Sequence, residues 1–422
     1  MGPEDPNNGT SERMPLRLGN GRGPLCGIRV LELGNFIAGP TAGKLLAEFG
    51  AEVIKIEQPG SGDQVRRWRL FGDKTSMLWK TLSRNKKSVA IDLRKPKGAE
   101  IVRRLARHCD VLIENYRPGR LESWGLGPDL LREENPQLIV IRVSGYGQTG
   151  PYRDRVGFGG VAEAMGGIRY VTGYPNRPPT RVGVSLGDTL AGLYAVIGVL
   201  FGLLERRNDE RTLIGETVDV ALYEAVYSVM EATVPEYSTY GVVRERTGNL
   251  IPGIAPSNTY RCSDGQWIVI GGNSDSIFPR LMRLVGRPDL ADNPKYQDNS
   301  HRAANMDLLD EAIESWTSKH PLDEALQMLL AHDVPAGAIY SADRMMRDPQ
   351  FRARDMLLES DHDCRPDGRP VLFPGVVPKL TLRPGSVRTP APEIGQHNAE
   401  ILGGLLGMAP EEFRSLHEEG AI

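Results

Sequence analysis

Cysteine is scarce in this chain of 422 residues: Cys26, Cys109, Cys262 and Cys364 stand far apart, with no CxxC pair. That spacing argues against a zinc cluster and a disulfide framework, and it fits a reducing compartment. Net charge is equally modest. Lys plus Arg total 51 and Asp plus Glu total 54, a formal charge of −3, which offers no general attraction to nucleic acid or an anionic membrane. Long apolar runs are missing too. The longest uncharged one, Thr189 to Leu204, has 16 residues; a bilayer span needs ~20, so a buried helix is expected instead. The first 24 residues carry neither an apolar h-region nor an Arg-rich amphipathic pattern. They read as a disordered tail rather than a targeting signal, and the chain as cytoplasmic. The seven histidines form no pair at metal-ligand spacing, so no metal site is expected, nor a Ser-His-Asp or Cys-His hydrolase.

Glycine and proline, in contrast, are abundant. Gly 48 and Pro 31 make up about a fifth of the chain, above the usual background of roughly 12%. The excess implies many shaped loops, the usual carriers of binding chemistry. Hydrophobic residues at 40% and charged residues at 25% are ordinary for a globular protein. A chain this long suggests two or three structural units and can bury a large core without staples.

The pattern from Gly27 onward gives the fold class. IRVLEL (28–33) is a short β-forming run, TAGKLLAEFG has helical spacing and ends on a glycine, and EVIKIE (52–57) is the next strand. The alternation repeats with SVAIDL (88–93), a helix over about 97–108, DVLIEN (110–115), helical LLREEN and LIVIRV (138–143). Repeated β-α-β units imply an α/β fold with an open, mostly parallel, Rossmann-like sheet. Residues 144–187 read as loops, followed by a helix over about 188–205, the strand ETVDVAL and a helix over about 223–240. A second unit begins near Gly248 with a hairpin turning at 263–265, then helical stretches around 277–285 and 305–333.

Three features are candidates for chemistry. Gly145-Tyr-Gly147-Gln-Thr-Gly150 follows a strand, as a dinucleotide fingerprint does. However, Pro151 and a non-helical run come next and the residue 20 further on is Tyr170, so a tight structural loop is expected rather than NAD binding. Basic residues cluster at 66–69 after a Gly-rich turn, at 84–87 leading into a strand, and at 94–97 just past that strand's carboxyl end. They can hold the phosphates of an anionic ligand or simply solvate turns. Asp188 opens the most apolar helix, where it can be an N-cap or a nucleophilic carboxylate.

Several runs together resemble the family III CoA-transferases, the group of formyl-CoA and carnitine CoA-transferases. They are GIRVLELGNFIAGPTAGKLLAEFGAEVIKIEQPGSGD, RNKKSVAIDLRKPKG, VLIENYRPG, SGYGQTGPYRDRVGF, PPTRVGVSLGDTLAGLYAVIG and APEIGQHNAEIL, and the likeness covers almost everything from Leu25. The resemblance implies that Asp188, in Gly187-Asp188-Thr-Leu-Ala-Gly192, is the catalytic nucleophile, and that Arg94, Asn115 and Tyr116 contact CoA. It further implies a CoA thioester as substrate with no prosthetic group, and a free carboxylic acid as the other partner. An interlocked homodimer is implied as well, each chain having a large α/β domain built from both of its ends (25–240 plus 340–422) and a small α+β domain inserted at 241–339. Overall likeness favours succinyl-CoA as donor and a small dicarboxylic acid as acceptor.

The chain departs from the family pattern at Ile37, where formyl-CoA transferases carry Gln, at Ser123, where some members have a basic residue, and at Gly159, where many have an acid. Formyl-CoA/oxalate specificity is therefore not expected. An α-methylacyl-CoA racemase, the nearest alternative, would carry His and Asp in a G-H-D motif where Gly157-Phe158-Gly159 stands. A non-catalytic CoA-binding protein is the other alternative, against which the intact G-D-x-x-x-G argues. Arg117, Arg120, Arg153, Arg155, Arg177 and Arg181 are candidates for a second substrate carboxylate, since Arg binds carboxylates bidentately.

Overall fold

A computed structural model describes residues 23–69, 75–208, 215–364 and 367–422; the proposed disordered tail at 1–24 lies almost wholly outside them. Six parallel strands form the main sheet: β1 (Arg29–Glu32), β2 (Glu52–Glu57), β3 (Lys86–Ala90), β4 (Val111–Glu114), β5 (Ile139–Ser144) and β6 (Thr217–Ala221). Their spatial order is β3-β2-β1-β4-β5-β6, and every adjacent pair is parallel. The α/β class and parallel sheet read from the sequence are what the chain forms. The central strands are buried along nearly their whole length, as expected where helices cover both faces.

Helices of this unit include α1 (Ala38–Glu48), α2 (Met77–Ser83), α3 (Pro96–Ala106), α4 (Pro128–Glu134), α5 (Gly159–Met165), α6 (Leu186–Asn208) and α7 (Leu222–Tyr227). One face packs α3, with Ile101, Val102 and Leu105 at helical spacing, against strand residues and the C-terminal Ile401, Leu402, Leu416 and Ile422. The other packs Ala38, Ala42 and Leu46 of α1 and Ala191, Ala195 and Val199 of α6.

The apolar helix α6 departs from expectation. Its small residues face the core: a Cβ on Gly192, Gly198 or Gly202 would meet Thr41 Cβ at 2.8 Å, Val218 Cγ1 at 2.5 Å or Ile139 Cδ1 at 2.9 Å. Its large residues, at the same spacing, face outward, with Leu193, Tyr194, Ile197, Leu200, Phe201 and Leu204 all exposed. The segment Leu186–Arg207 is long and apolar enough to cross a bilayer, yet one side of it is a close-packed layer on the sheet. It is half buried rather than buried.

The described chain divides into two compact units. The first takes the residues up to Gly166, Gly183–Met230 and Asp355–Ile422; the second takes Gly167–Val182 and Glu231–Arg354. The small unit proposed from sequence, 241–339, is thus narrower than the observed one. The second unit has a three-stranded antiparallel sheet, Ser257–Arg261, Trp267–Gly271 and Ala336–Ala338, and its own core around Phe278, Leu281, Ile313 and Leu329. Two expected helices are each broken in two. The 223–240 stretch splits around Glu231, whose φ is 52°, and the 305–333 stretch splits at Pro321, which caps the second helix. Loop 144–187 also contains helix, since α5 starts at Gly159.

Candidate active site

In a sheet of this order the chain reverses direction between β1 and β4, and open α/β sheets bind ligands beyond the carboxyl ends at that point. The loops there are 33–37, between β1 and α1, and 115–119, after β4. Asn115 clasps the first: its Oδ1 accepts from Asn35 N at 2.7 Å and its Nδ2 donates to Asn35 O at 2.7 Å. Tyr116 OH donates to Leu33 O at 2.9 Å and accepts from Asn35 Nδ2 at 3.2 Å. Burial pushes the phenol up to about 12, so it stays protonated and keeps donating. Gly34 and Gly39 keep this turn tight, because a Cβ on either would crowd the other's Cα at 3.2 Å.

Arg94 and Tyr116 line one cleft of about 160 Å3 together with Asn35, Gln58, Leu93 and Trp124. Asp92 orients two of its polar walls, accepting from Arg94 Nε at 2.9 Å and Nη2 at 2.8 Å and from Gln58 Nε2 at 3.1 Å. The Arg94 guanidinium holds the Asp92 carboxyl well below the usual range. Two-thirds of the Arg94 side chain remains exposed, so the guanidinium can also meet an anion. Trp124 stands edge-on to Tyr116, ring centroids 5.0 Å apart. Asn115 sits beside this cleft, with one amide hydrogen left for a ligand after its two bonds to Asn35.

Asp188 is not among the residues lining that cleft. It is the third residue of α6, in the first turn, so it is not the N-cap. A carboxylate there gains from the partial positive charge of the helix start. It lies over the backbone of Gly159: a Cβ on Gly159 would sit 2.1 Å from Asp188 Oδ2. Only glycine leaves the carboxylate where it is. The preceding Phe158 is exposed and meets Phe36 of the β1–α1 loop edge-on, centroids 6.1 Å apart. One turn after Asp188, Gly192 abuts Ala38 and Thr41 at the start of α1. The β1–α1 loop therefore joins Asp188 on one side to the Arg94–Tyr116 cleft on the other.

The other candidates resolve less favourably. Arg66 is spent on Glu57 at 2.7 Å and stacks on Trp79 at 3.6 Å. Arg84 pairs with Glu48, Lys86 with Glu32, and Lys87 with Glu52 and Glu400. Of the basic clusters that could hold phosphate or solvate turns, these members are neutralised by carboxylates of the fold. In the G-x-G-x-x-G run, Gly145 and Gly157 touch backbone to backbone, a Cβ on Gly145 falling 2.9 Å from Gly157 Cα. Gln148 N donates to Asp219 at 2.8 Å, and turns occupy 151–154. This is the expected structural loop.

A G-x-S-x-G run, the pattern of a nucleophile elbow, stands at Gly183–Gly187. A nucleophile elbow needs a strand leading into the serine; here 181–185 is irregular and Ser185 O accepts from Thr189 N, starting α6. Among the arginines, Arg117 Nη2 donates to Asp154 O at 2.7 Å, tying 117–120 to the exposed turn that carries Arg153 and Arg155. Ser123 closes its own short helix by bonding Arg120 O at 2.7 Å. Arg177 and Arg181 belong to the second unit.

Sequence comparison places these features in context. The profile of CoA-transferase family III matches residues 25–398. The chain is 48% identical over 400 residues to the succinyl-CoA–D-citramalate CoA-transferase of Chloroflexus aurantiacus, covering 94% of this chain and 98% of that one. It is 32% identical over 400 residues to human succinyl-CoA:glutarate CoA-transferase, covering 94% and 90%. Among solved structures, a CAIB/BAIF family protein from Brucella suis superposes with a TM-score of 0.79 at 35% identity, covering 91% of this chain and all of that one. The chain belongs to CoA-transferase family III.

Proposed function

We propose that this enzyme moves CoA from succinyl-CoA to a small dicarboxylic acid, with Asp188 as nucleophile and Arg94, Asn115 and Tyr116 as contacts to the CoA moiety. The observation that carries the reading is the Asp188 carboxylate held over the bare backbone of Gly159, at a helix start and one loop away from a cleft with an exposed arginine. The relatives whose names specify succinyl-CoA support the donor, and their acceptors, D-citramalate, L-malate and glutarate, support a dicarboxylic acid.

The Asp188 carboxylate attacks the thioester carbonyl; the C–S bond breaks, CoA leaves as thiolate, and an aspartyl–succinyl anhydride remains. The thiolate then attacks the aspartyl carbonyl, forming an aspartyl-CoA thioester and releasing succinate. The acceptor carboxylate attacks that thioester and the same steps run in reverse, restoring the Asp188 carboxylate. Splitting the exchange this way replaces one hard step with easier ones. The anhydride is uphill, because a carboxylate of pKa ~4 displaces a thiolate of pKa ~8.5, so the thiolate must stay close and water must stay out. No prosthetic group enters this chemistry.

The outward apolar face of α6, beside exposed Val161, Met165 and Tyr227 on α5 and α7, supports a homodimer, since patches of this kind mark interfaces. A cytoplasmic homodimer is the state we assign. The test is to incubate the protein with succinyl-CoA, trap with borohydride or hydroxylamine, and map the product by mass spectrometry. An adduct on the Asp188 peptide is expected, absent in Asp188→Asn; retained transfer in that variant would sink the assignment.

A further inference from the structure

Four buried ionisable side chains stand beneath the β1–α1 loop, and the transfer steps above use none of them. Lys55 Nζ lies 3.1 Å from Glu32 Oε1 and 2.9 Å from Asp63 Oδ2; Lys86 Nζ lies 2.7 Å from Glu32 Oε2. Glu32, Lys55 and Asp63 are 0% exposed and Lys86 2%. Two positive and two negative charges make a neutral cluster, with Glu32, Lys55 and Lys86 on the neighbouring strands β1, β2 and β3 and Asp63 in the segment after β2. Two of its members also grip the loop, and a third grips the first turn of α1. Asp63 Oδ1 accepts from Phe36 N at 3.2 Å, Lys55 Nζ donates to Gly34 O at 2.6 Å, and Lys86 Nζ donates to Pro40 O at 2.9 Å. A line of charge therefore runs from the Phe36 amide through Asp63, Lys55, Glu32 and Lys86 to the Pro40 carbonyl. Gly43 makes room for it, since a Cβ there would fall 1.8 Å from Glu32 Oε2.

Stability alone does not call for such a cluster. Buried ion pairs can commonly be replaced by apolar residues of similar volume at no loss, and apolar residues fill most neighbouring strand positions. Direction is what apolar residues cannot supply: each ammonium fixes a particular carbonyl oxygen. The Gly34 carbonyl belongs to the loop that carries Asn35 to the Arg94–Tyr116 cleft and Phe36, with φ of 64°, to the Phe158–Gly159 corner under Asp188; the Pro40 carbonyl belongs to the first turn of α1, into which that loop runs.

We propose that Glu32, Lys55, Asp63 and Lys86 are positioning residues that clamp the β1–α1 loop and the first turn of α1 and thereby set Asp188 relative to the CoA cleft. The kinetic half of this rests on Asp188 being the nucleophile; the clamp on the loop does not. Burial works against both ammoniums. On Lys55 the attraction of Asp63, Glu32 and Glu57 outweighs it and raises the pKa. On Lys86 burial outweighs the attraction of Glu32 and Asp63, Lys55 repels, and the pKa falls to about 8. Above that pH the cluster turns net negative and the grip on Pro40 weakens.

The experiment compares the wild type with Lys86→Met and with Glu32→Gln/Lys86→Met, which keeps Lys55 and Asp63 as a balanced pair. Lys86→Met alone leaves Glu32 with Lys55 as its one ammonium partner, and the double variant restores the charge balance of the cluster. In the folded double variant, amide exchange of the peptide 33–42 at pH 7 should still run about tenfold faster than in the wild type, the equilibrium value of one charge-assisted hydrogen bond. Its kcat/KM for acyl transfer should fall by a similar factor, and the wild type's decline above about pH 8 should disappear. Wild-type exchange of that peptide in the double variant overturns the clamp. Wild-type kcat/KM with faster exchange overturns the positioning role. If the wild type transfers no CoA from any donor, the functional reading fails and the exchange measurement alone decides the clamp.

Discussion

Gly159→Ala separates catalysis from stability more sharply than any change to Asp188 itself. The added Cβ would lie 2.1 Å from Asp188 Oδ2 and 2.7 Å from its Cγ, where ordinary contact begins at 3.4 Å. The carboxylate must therefore move by about 1.3 Å. A misplacement of about 1 Å can cost roughly 100-fold in rate, equivalent to about 2.7 kcal/mol of transition-state stabilisation. The backbone has no reason to object. Gly159 is the first residue of α5, outside the left-handed region, and Gly→Ala at a compatible position stabilises by ~0.4–1 kcal/mol through the unfolded chain. The obstructing atoms are the end of a side chain that can swing aside. The expected outcome is an unchanged or slightly higher Tm with kcat down about 100-fold, measured with saturating succinyl-CoA and a dicarboxylate acceptor. Gly157→Ala is the control two residues away: its Cβ would meet Gly145 Cα at 2.8 Å, backbone that cannot swing, so stability should drop by ~1–3 kcal/mol. Wild-type kcat in Gly159→Ala would refute the placement of Asp188 as the reacting group.

Three further outcomes are expected. Arg94→Ala should leave Tm close to that of the wild type, as for a solvent-facing side chain, while raising KM for the acyl-CoA; an unchanged KM would remove Arg94 from the CoA site. Phe201→Glu should shift the protein to monomers in size-exclusion chromatography with light scattering, because it puts a charge in the exposed apolar face of α6, and a persistent dimer would place the interface elsewhere. Lys86 binds its proton less tightly in the fold, at about 8 against 10.5 in the open chain, so between those pH values the unfolded state holds more protons. Its contribution to stability should therefore improve as pH rises through that window, and the Glu32→Gln/Lys86→Met variant should lack the rise in urea titrations.

The fold was legible because burial on both faces leaves its mark in sequence. EVIKIE and LIVIRV sit in central strands, their apolar runs set off by short loops, and β2 covers the six residues expected of it. Where charge interrupts such a run, the pattern misleads. SVAIDL suggests a strand over 88–93, but pairing begins at Lys86 and ends at Ala90. Lys86 belongs to the strand because Glu32 on β1 neutralises it, a partner 54 positions away that local reading has no means to find. The same long-range pairing decides what local reading left open for the basic clusters, since Arg66, Arg84 and Lys86 meet carboxylates of distant segments.

The proposed nucleophile was legible in the sequence; what surrounds it was not. Asp188 stood out as an acid at the mouth of an apolar helix, and family likeness turned that position into a role. What orders the site is carried instead by residues without functional groups. Gly159 supplies the space in which the carboxylate lies, Gly34 and Gly39 supply the turn that Asn115 clasps, and Gly43 supplies the passage over Glu32. A glycine in sequence announces a missing side chain but never what occupies the vacated space, since that neighbour comes from another element. The departure at Gly159 therefore changes meaning once the fold is known. Judged from sequence it is an acid lost from the family pattern; in the structure an acid at that position would put a Cβ, and then a second negative charge, against Asp188. Asp188 keeps its place because residue 159 has nothing to put there.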